Sequence, residues 1–453
     1  MRYRVLLLLL LLCLPLCAQN SGKVFPYNYF IDDLPNGLRV VTVPTDFPNL
    51  VAMYTVVGTG SRNEVEPGKS GFAHLFEHLM FRGSKHFTAA QRDELLKRAG
   101  AATNAYTTDD RTVYHLVFSK EDLPQVIELE ADTFQALQYE RDAYKTETGA
   151  VLGEYNKNSA NPFSKMHEVL RETAFKTHTY SHTTMGYLRD IQDMPNQYDY
   201  SLQFYRRYYR PEYTTIILAG DLDHDAALAL VKKHFGNWER GSYKAQIPTE
   251  PPQDGPRSAH IDWPSPTLPQ MFVAFRAPAY SDTDKDWVAL QLVADIAFGP
   301  NSDVYQRLVL KEQKVETLFA DSANNMDPEL FTVGARVKDA KDMDYVREQI
   351  LATFKQFAGA TVPQEQLDSA RARARYGFVM QLDSSEAIAS NLAPFINLRR
   401  TPETINQVFA LAQQLTPDDL RSAAQTYFVD NNRTIVTLKT KADSANVAGQ
   451  GGH

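Results

Sequence analysis

Cysteine is almost missing from this sequence: of 453 residues only Cys13 and Cys17 carry a thiol, and both lie within the first 18. No disulfide can therefore staple the body of the chain, and a chain of this length buries an adequate core without one. An excess of basic charge is missing too. Lys and Arg number 47 against 55 Asp and Glu, a net of −8, which excludes a binder that works by neutralising nucleic-acid phosphates. Nor does any segment reach the roughly 20 apolar residues needed to span a membrane as a helix. What remains is ordinary globular composition, 43% apolar and 23% charged.

The N-terminus has Arg2 and Arg4, an apolar run from Val5 to Leu12, then Pro15, and Ala18 ahead of the polar Gln19 and Asn20. A basic start, a short apolar stretch and a small residue at the end form a secretory signal, expected over residues 1–18. The bulky Leu16 before Cys17 fits lipoprotein processing poorly, so an exported, periplasmic protein is expected, with lipoprotein anchoring as the lesser alternative. Loss of this leader removes both cysteines and takes the net charge from −8 to −10, since Arg2 and Arg4 leave with it.

Residues 241–257 carry Pro248, Pro251, Pro252 and Pro256 and read as a linker, because proline at this density interrupts both helix and central strand. The linker divides the chain near its middle, and a weak repeat crosses it at an offset of 219. Tyr208 and Tyr209 before Thr215–Ile217 match Tyr427 and Phe428 before Thr434–Val436, and Ala52–Val56 matches Met271–Phe275. In the first half, β-branched runs at Leu38–Val43, Ala52–Val57, Thr112–Phe118 and Thr214–Ala219 alternate with amphipathic stretches such as Leu123–Leu137. The expected fold is α+β, with two duplicated domains, each a largely antiparallel sheet packed with helices. The expected boundaries are an N-terminal domain over 24–240, a C-terminal domain over 258–440 and a disordered tail over 441–453.

The chemistry sits in Gly71–Gly83, GFAHLFEHLMFRG. On a helix, His74 and His78 project from one face a turn apart, suited to gripping one metal ion, with Glu77 inside the same arc of roughly 100°. Phe72, Leu75, Phe76, Leu79 and Met80 supply an apolar wall. This is the HxxEH arrangement, in which two histidines hold zinc and the glutamate acts as proton acceptor. A catalytic zinc needs a third protein ligand. Glu147 and Glu154, in TETGAVLGEYNKN, share one helical face, and spacing alone does not choose between them.

These motifs resemble the inverted-motif zinc peptidases: pitrilysin, the insulin-degrading enzymes and the mitochondrial processing peptidases. The likeness runs through Gly60–Arg62, Gly71, Ala73–His74, Glu77–His78, Phe81 and Gly83, and again through Asn104, Ala105, Thr107, Thr112 and Tyr114. The third ligand in that family lies about seventy-five residues past the second histidine. Glu154 stands 76 past His78, so the resemblance implies one Zn²⁺ per chain on His74, His78 and Glu154. Glu77 becomes the catalytic base and Glu147 a supporting glutamate. The resemblance further implies a clam-shell chamber. There a peptide lies as an added strand on the edge formed by Asn104, Ala105, Tyr106 and Thr107.

The second half lacks the ligands. At the 219 offset His74, Glu77 and His78 fall on Val293, Ile296 and Ala297, and Glu154 on Arg373. Family members also carry an Arg and a Tyr in the second half that grip substrate. In SDVYQRLVLKEQKVETLFA, Val309 stands at the Arg position and Leu318 or Phe319 at the Tyr position, with Arg307 and Tyr305 off register. A paralogous subunit supplying both, in a hetero- or homodimer, is the expected partner. The other readings are a non-catalytic scaffold and a peptide-binding subunit of such a complex. His178 and His182 are expected to be structural, and Tyr205–Arg210 (YRRYYR) to be packing with a basic rim.

Overall fold

The computed structural model describes residues 23–441, so the expected leader and all of the expected tail but Lys441 lie outside the described residues. Two sheets organise the chain. The first is built from β1 (Phe30–Asp33), β2 (Arg39–Pro44), β3 (Leu50–Val57), β4 (Ala102–Thr107), β5 (Thr112–Ser119) and β6 (Thr214–Gly220), in the order β1-β2-β6-β3-β5-β4. The second is built from β7 (Arg257–Trp263), β8 (Gln270–Arg276), β9 (Val315–Ser322), β10 (Leu330–Val337) and β11 (Arg433–Thr440), in the order β7-β11-β8-β10-β9. Removing β1 makes the two orders identical. In each, one parallel pair, β2 with β6 or β7 with β11, joins an otherwise antiparallel ladder.

The helices follow in the same sequence. The first lobe has α1 (Phe72–Leu79), α2 (Ala89–Arg98), α3 (Leu123–Ala136), α4 (Arg141–Ser159), α5 (Pro162–Ala174), α6 (Leu188–Asp193), α7 (Tyr198–Tyr208) and α8 (His224–Phe235). The second has α9 (Lys285–Phe298), a short α10 (Asp303–Tyr305) that loosens into a π turn through Lys311, α11 (Met343–Gly359), α12 (Gln364–Met380), α13 (Ser385–Arg399), α14 (Glu403–Gln414) and α15 (Pro417–Tyr427). Helix α7 maps onto α15 at an offset of 219, as do the starts of β6 and β11. The duplication is therefore one of whole lobes.

Each lobe covers part of the other's sheet. Helix α5 lays Met166, Leu170 and Ala174 on Phe272, Ala274, Val436 and Leu438 of the second sheet. Helix α13 returns Ile388, Leu392 and Ile396 to Val41, Val43, Tyr54 and Val56 of the first. Each such side chain, once buried, contributes roughly 1.5–3 kcal/mol, so the exchange joins the lobes firmly. The proline-rich stretch forms neither helix nor strand over 239–256, yet it is fastened: the Glu250 carboxylate accepts the backbone N–H groups of Lys176, Thr177 and His178 at 2.7–2.9 Å.

Candidate metal centre

Helix α1 begins at Gly71, whose φ of 89° and whose approach to Met185 O, 2.8 Å from where a Cβ would stand, admit glycine alone without strain. Its first turn is closed from a distance. Glu64 accepts the N–H groups of Gly71 and Ala73, both at 2.7 Å, and puts a carboxylate at the positive end of the helix. Burial pushes the Glu64 carboxyl up to about 8, against the downward pull of those N–H groups. Phe72, Leu75, Phe76, Leu79 and Met80 are all buried, which fixes the rotation of the helix and turns His74, Glu77 and His78 toward α4.

There Glu154 meets the two histidines. Its Oε2 lies 3.6 Å from Nε2 of His74 and 3.6 Å from Nε2 of His78, and the three donor atoms all fall within 4.8 Å of one another. Donors around a tetrahedral zinc with bonds of roughly 2.0–2.1 Å sit about 3.4 Å apart, so the set is sized for that ion. The histidine rings stand nearly perpendicular, 86° apart, and converge on one point instead of stacking. His74 is 6% exposed; burial, then the nearby His78, holds its pKa well below the usual range, in the neutral form that ligates. Two nitrogens and one carboxylate oxygen, one of them on a half-exposed side chain, make a three-ligand site with an open side.

Glu147, 3% exposed, lies behind the cluster: its Oε2 is 3.4 Å from Nδ1 of His78 and its Oε1 2.5 Å from the Arg82 guanidinium. A proton on Nδ1 directed at Glu147 leaves Nε2 free for a metal. Arg82 stands three residues past the end of α1, where helical spacing from His78 gives no signal of this contact. Glu77 sits beside the cluster with its Oε2 accepting the Thr107 hydroxyl at 2.6 Å. Burial raises the Glu77 carboxyl above its ordinary value and the Thr107 bond pulls it down.

Thr107 belongs to β4, which among the described residues pairs only with β5 and so forms one edge of the first sheet. Of the expected edge residues, Asn104 is exposed and its side chain accepts the N–H of Ala105. Ala105 is buried in the core under α1, and Tyr106 lies on the other face, near His115. Only the Thr107 side chain joins the metal cluster.

The remaining expected positions disperse. Val293, Ile296 and Ala297 are core residues of the second lobe, and Arg373 is bonded to Asp295 at 2.6 Å. Val309 and Tyr305 pack on that core, Leu318 is buried in it, Phe319 faces Phe163 and Phe272, and Arg307 donates to Gln349 at 2.6 Å. His178 and His182 do not converge: the first reaches Asp327 at 3.0 Å, the second the carbonyl of Thr183 at 2.9 Å. In YRRYYR, Tyr208 and Tyr209 are buried, Arg207 pairs with Glu66, and Arg210 donates to the carbonyl of Tyr243.

Known families match this chain in two segments that meet within the first lobe. The insulinase (peptidase family M16) model matches residues 39–187, and the peptidase M16 inactive-domain model matches residues 197–374. The zinc protease PqqE of Helicobacter pylori is 29% identical over 90% of this chain and 91% of its own length. A crystal structure of a protease from that organism superposes with a TM-score of 0.84 at 28% identity, over 91% of this chain and 99% of the other. A probable mitochondrial-processing peptidase subunit beta of Arabidopsis thaliana is 26% identical over 94% of this chain and 81% of its own. With a ligand set sized for zinc in the first lobe and none at the equivalent positions of the second, the chain belongs to the M16 superfamily of pitrilysin- and insulinase-type zinc peptidases.

Proposed function

We propose that this chain is an exported zinc metalloendopeptidase of two domains, 24–240 and 258–440, joined by the 241–257 linker. The observation that carries the reading is the convergence of His74, His78 and Glu154 beside Glu77 at the edge of a sheet. His74, His78 and Glu154 hold the zinc, which when bound lowers the pKa of a water and polarises a peptide carbonyl. Glu147 orients His78 through Nδ1, and Arg82 fixes Glu147. Glu77 takes the proton from the attacking water and returns it to the leaving amine. Thr107 holds the Glu77 carboxylate in place through its Oε2. The peptide lies extended on the open side of β4, from Asn104 through Ala105 and Tyr106 to Thr107, held through backbone hydrogen bonds that ask little of its sequence.

No helix among the described residues is long and apolar enough to cross a membrane. With the expected leader, this supports a periplasmic location. A paralogous subunit carrying the Arg and Tyr that this chain lacks closes the chamber, an arrangement for which the likeness to a processing-peptidase beta subunit speaks. Glu77→Gln tests the whole reading: zinc content stays at one per chain while peptide turnover falls by about a hundredfold to ten-thousandfold. Retained cleavage takes Glu77 out of the base role. A second reading, a peptide-binding or scaffold subunit, is favoured by Val309 and by Leu318 or Phe319 at the substrate-gripping positions. It predicts zinc binding with no turnover by the unaltered chain, whether or not the paralogue is present.

A further inference from the structure

The hairpin of β4 and β5 ends in two adjacent carboxylates. Strand β4 gives way to a turn that the Thr108 N–H closes on the Arg111 carbonyl at 2.8 Å, with Asp109 and Asp110 at its tip. An edge hairpin of this composition belongs in water, because its tip is the least supported part of the sheet and two like charges side by side repel. Here Asp110 is buried and both carboxylates are paired. The first lobe seats the tip. A Cβ on Gly60 would stand 2.2 Å from the Thr108 carbonyl oxygen, so any side chain there would push the turn away. The next two residues bind it: the Ser61 hydroxyl donates to Oδ1 of Asp109 at 3.0 Å, and the Arg62 N–H donates to the Asp109 carbonyl at 2.8 Å. The Tyr180 hydroxyl donates to Oδ1 of Asp110 at 2.7 Å. Arg171, on α5, donates to both Asp109 oxygens, at 2.9 and 2.5 Å.

The second lobe closes the grip. Its loop between β9 and β10 sends the Met326 N–H to Oδ2 of Asp110 at 2.8 Å and the Asn325 amide to Oδ2 of Asp109 at 3.3 Å. On the same loop Glu329 accepts from Arg171 at 3.0 Å, so one guanidinium ties the hairpin tip to the opposite lobe. Two residues back along β4 from Asp109 stands Thr107, whose hydroxyl donates to Glu77 at 2.6 Å. An edge strand has no second neighbour to fix its place, and a largely buried ion network costs too much desolvation to be there for stability alone. We propose that this grip holds Thr107 against the general base, so that Asp109 and Arg171 are positioning residues for Glu77, and that the second lobe acts on the reaction through Glu329 and the β9–β10 loop. The inference rests on the peptidase reading and deepens it. It gives the second lobe, which has lost the equivalents of the metal ligands, a part in the chemistry of the first.

The test is a double-mutant cycle on the zinc-loaded full chain with the paralogous subunit added, read on an internally quenched peptide. Thr107→Val removes the bond to Glu77, and Asp109→Asn removes the charge that Arg171 grips. Each alone is expected to lower kcat by about fivefold to fiftyfold, with bound zinc unchanged. Because Asp109 acts through Thr107, the double variant should be within about twofold of Thr107→Val. Losses that multiply overturn the positioning role. Glu329→Gln, which keeps an acceptor for Arg171, should give a smaller loss that likewise vanishes on the Thr107→Val background; full kcat in this variant overturns the second lobe's share. Amide hydrogen exchange, read by mass spectrometry, judges the grip without catalysis. In Asp109→Asn, peptides covering 102–119 should exchange about tenfold faster, while those covering the second sheet should not change. Unaltered protection of the hairpin overturns the grip. If Asp109→Asn does not fold, Glu329→Gln carries both measurements. If the unaltered chain cleaves no peptide the peptidase reading fails, and the exchange rates alone then decide whether the tip holds the edge strand.

Discussion

The two lobes share a strand order, a helix sequence and a 219-residue spacing, yet among the described residues only the first gathers metal ligands. Where α1 and α4 bring His74, His78 and Glu154 together, α9 and α12 bring Val293, Ala297 and the Arg373–Asp295 ion pair. The difference teaches that the fold does not depend on the site. The sheet and its helix layer are specified by apolar residues repeated in both halves, and the chemistry by a few polar ones present in one half. In the second lobe the space between these helices is held by apolar packing and one half-exposed ion pair, neither of which calls for a metal.

That independence can be broken most forcefully by giving the first lobe the second lobe's residues. His74→Val with His78→Ala should reduce bound zinc from one per chain to near zero and abolish peptide cleavage. The far-ultraviolet circular dichroism should remain that of the unaltered protein. A chain that unfolds on losing its histidines would show instead that the metal is structural, and the parallel between the lobes would then be one of topology only.

A smaller effect separates ligands from their support. Arg82→Ala leaves Glu147 buried without its guanidinium, and Glu147→Gln weakens the hold on Nδ1 of His78. Each is expected to weaken zinc affinity about tenfold to a hundredfold, measured by competition with a chelator, with the fold retained. No equivalent loss should follow from Arg373→Ala in the second lobe, whose ion pair with Asp295 is half-exposed. Equal effects on zinc from both lobes would erase the distinction.

Sequence patterns carried the strands and the repeat because both depend on local periodicity. Leu38–Val43, Thr112–Phe118 and Thr214–Ala219 all lie within a residue or so of observed strands. The HxxEH pair was legible because its ligands are one helical turn apart. Contacts between elements were not. Nothing local announces that Thr107 bonds Glu77 or that Glu64 closes α1, since these depend on how a strand edge and a loop pack against a helix. The helix exchange escaped for the same reason: α5 and α13 are amphipathic in the ordinary way, and amphipathicity does not say which sheet the apolar face will meet.

The seam between the lobes offers the subtlest test, because there the two halves depend on each other. Asp327, on the loop between β9 and β10, reaches across to Arg62 at 2.5 Å and His178 at 3.0 Å. Burial alone would push its carboxyl up, but the hydrogen bonds from His178 and Arg62 outweigh it and hold the carboxyl at about 2. A folded pKa below the unfolded value near 3.8 means the carboxylate stabilises the fold fully at pH above that value. The contribution shrinks as pH falls from there and is gone once pH passes below about 2. With the side chain 27% exposed, solvent screening trims the contribution to about 1–2 kcal/mol. Asp327→Asn should therefore lower unfolding free energy by about that amount at pH 6, and the gap to the unaltered protein should be less than about half as large at pH 3. A gap of equal size at both pH values would mean that Asp327 acts through packing alone. A gap confined to one of two separate unfolding transitions would mean that the lobes, despite their exchanged helices, unfold independently.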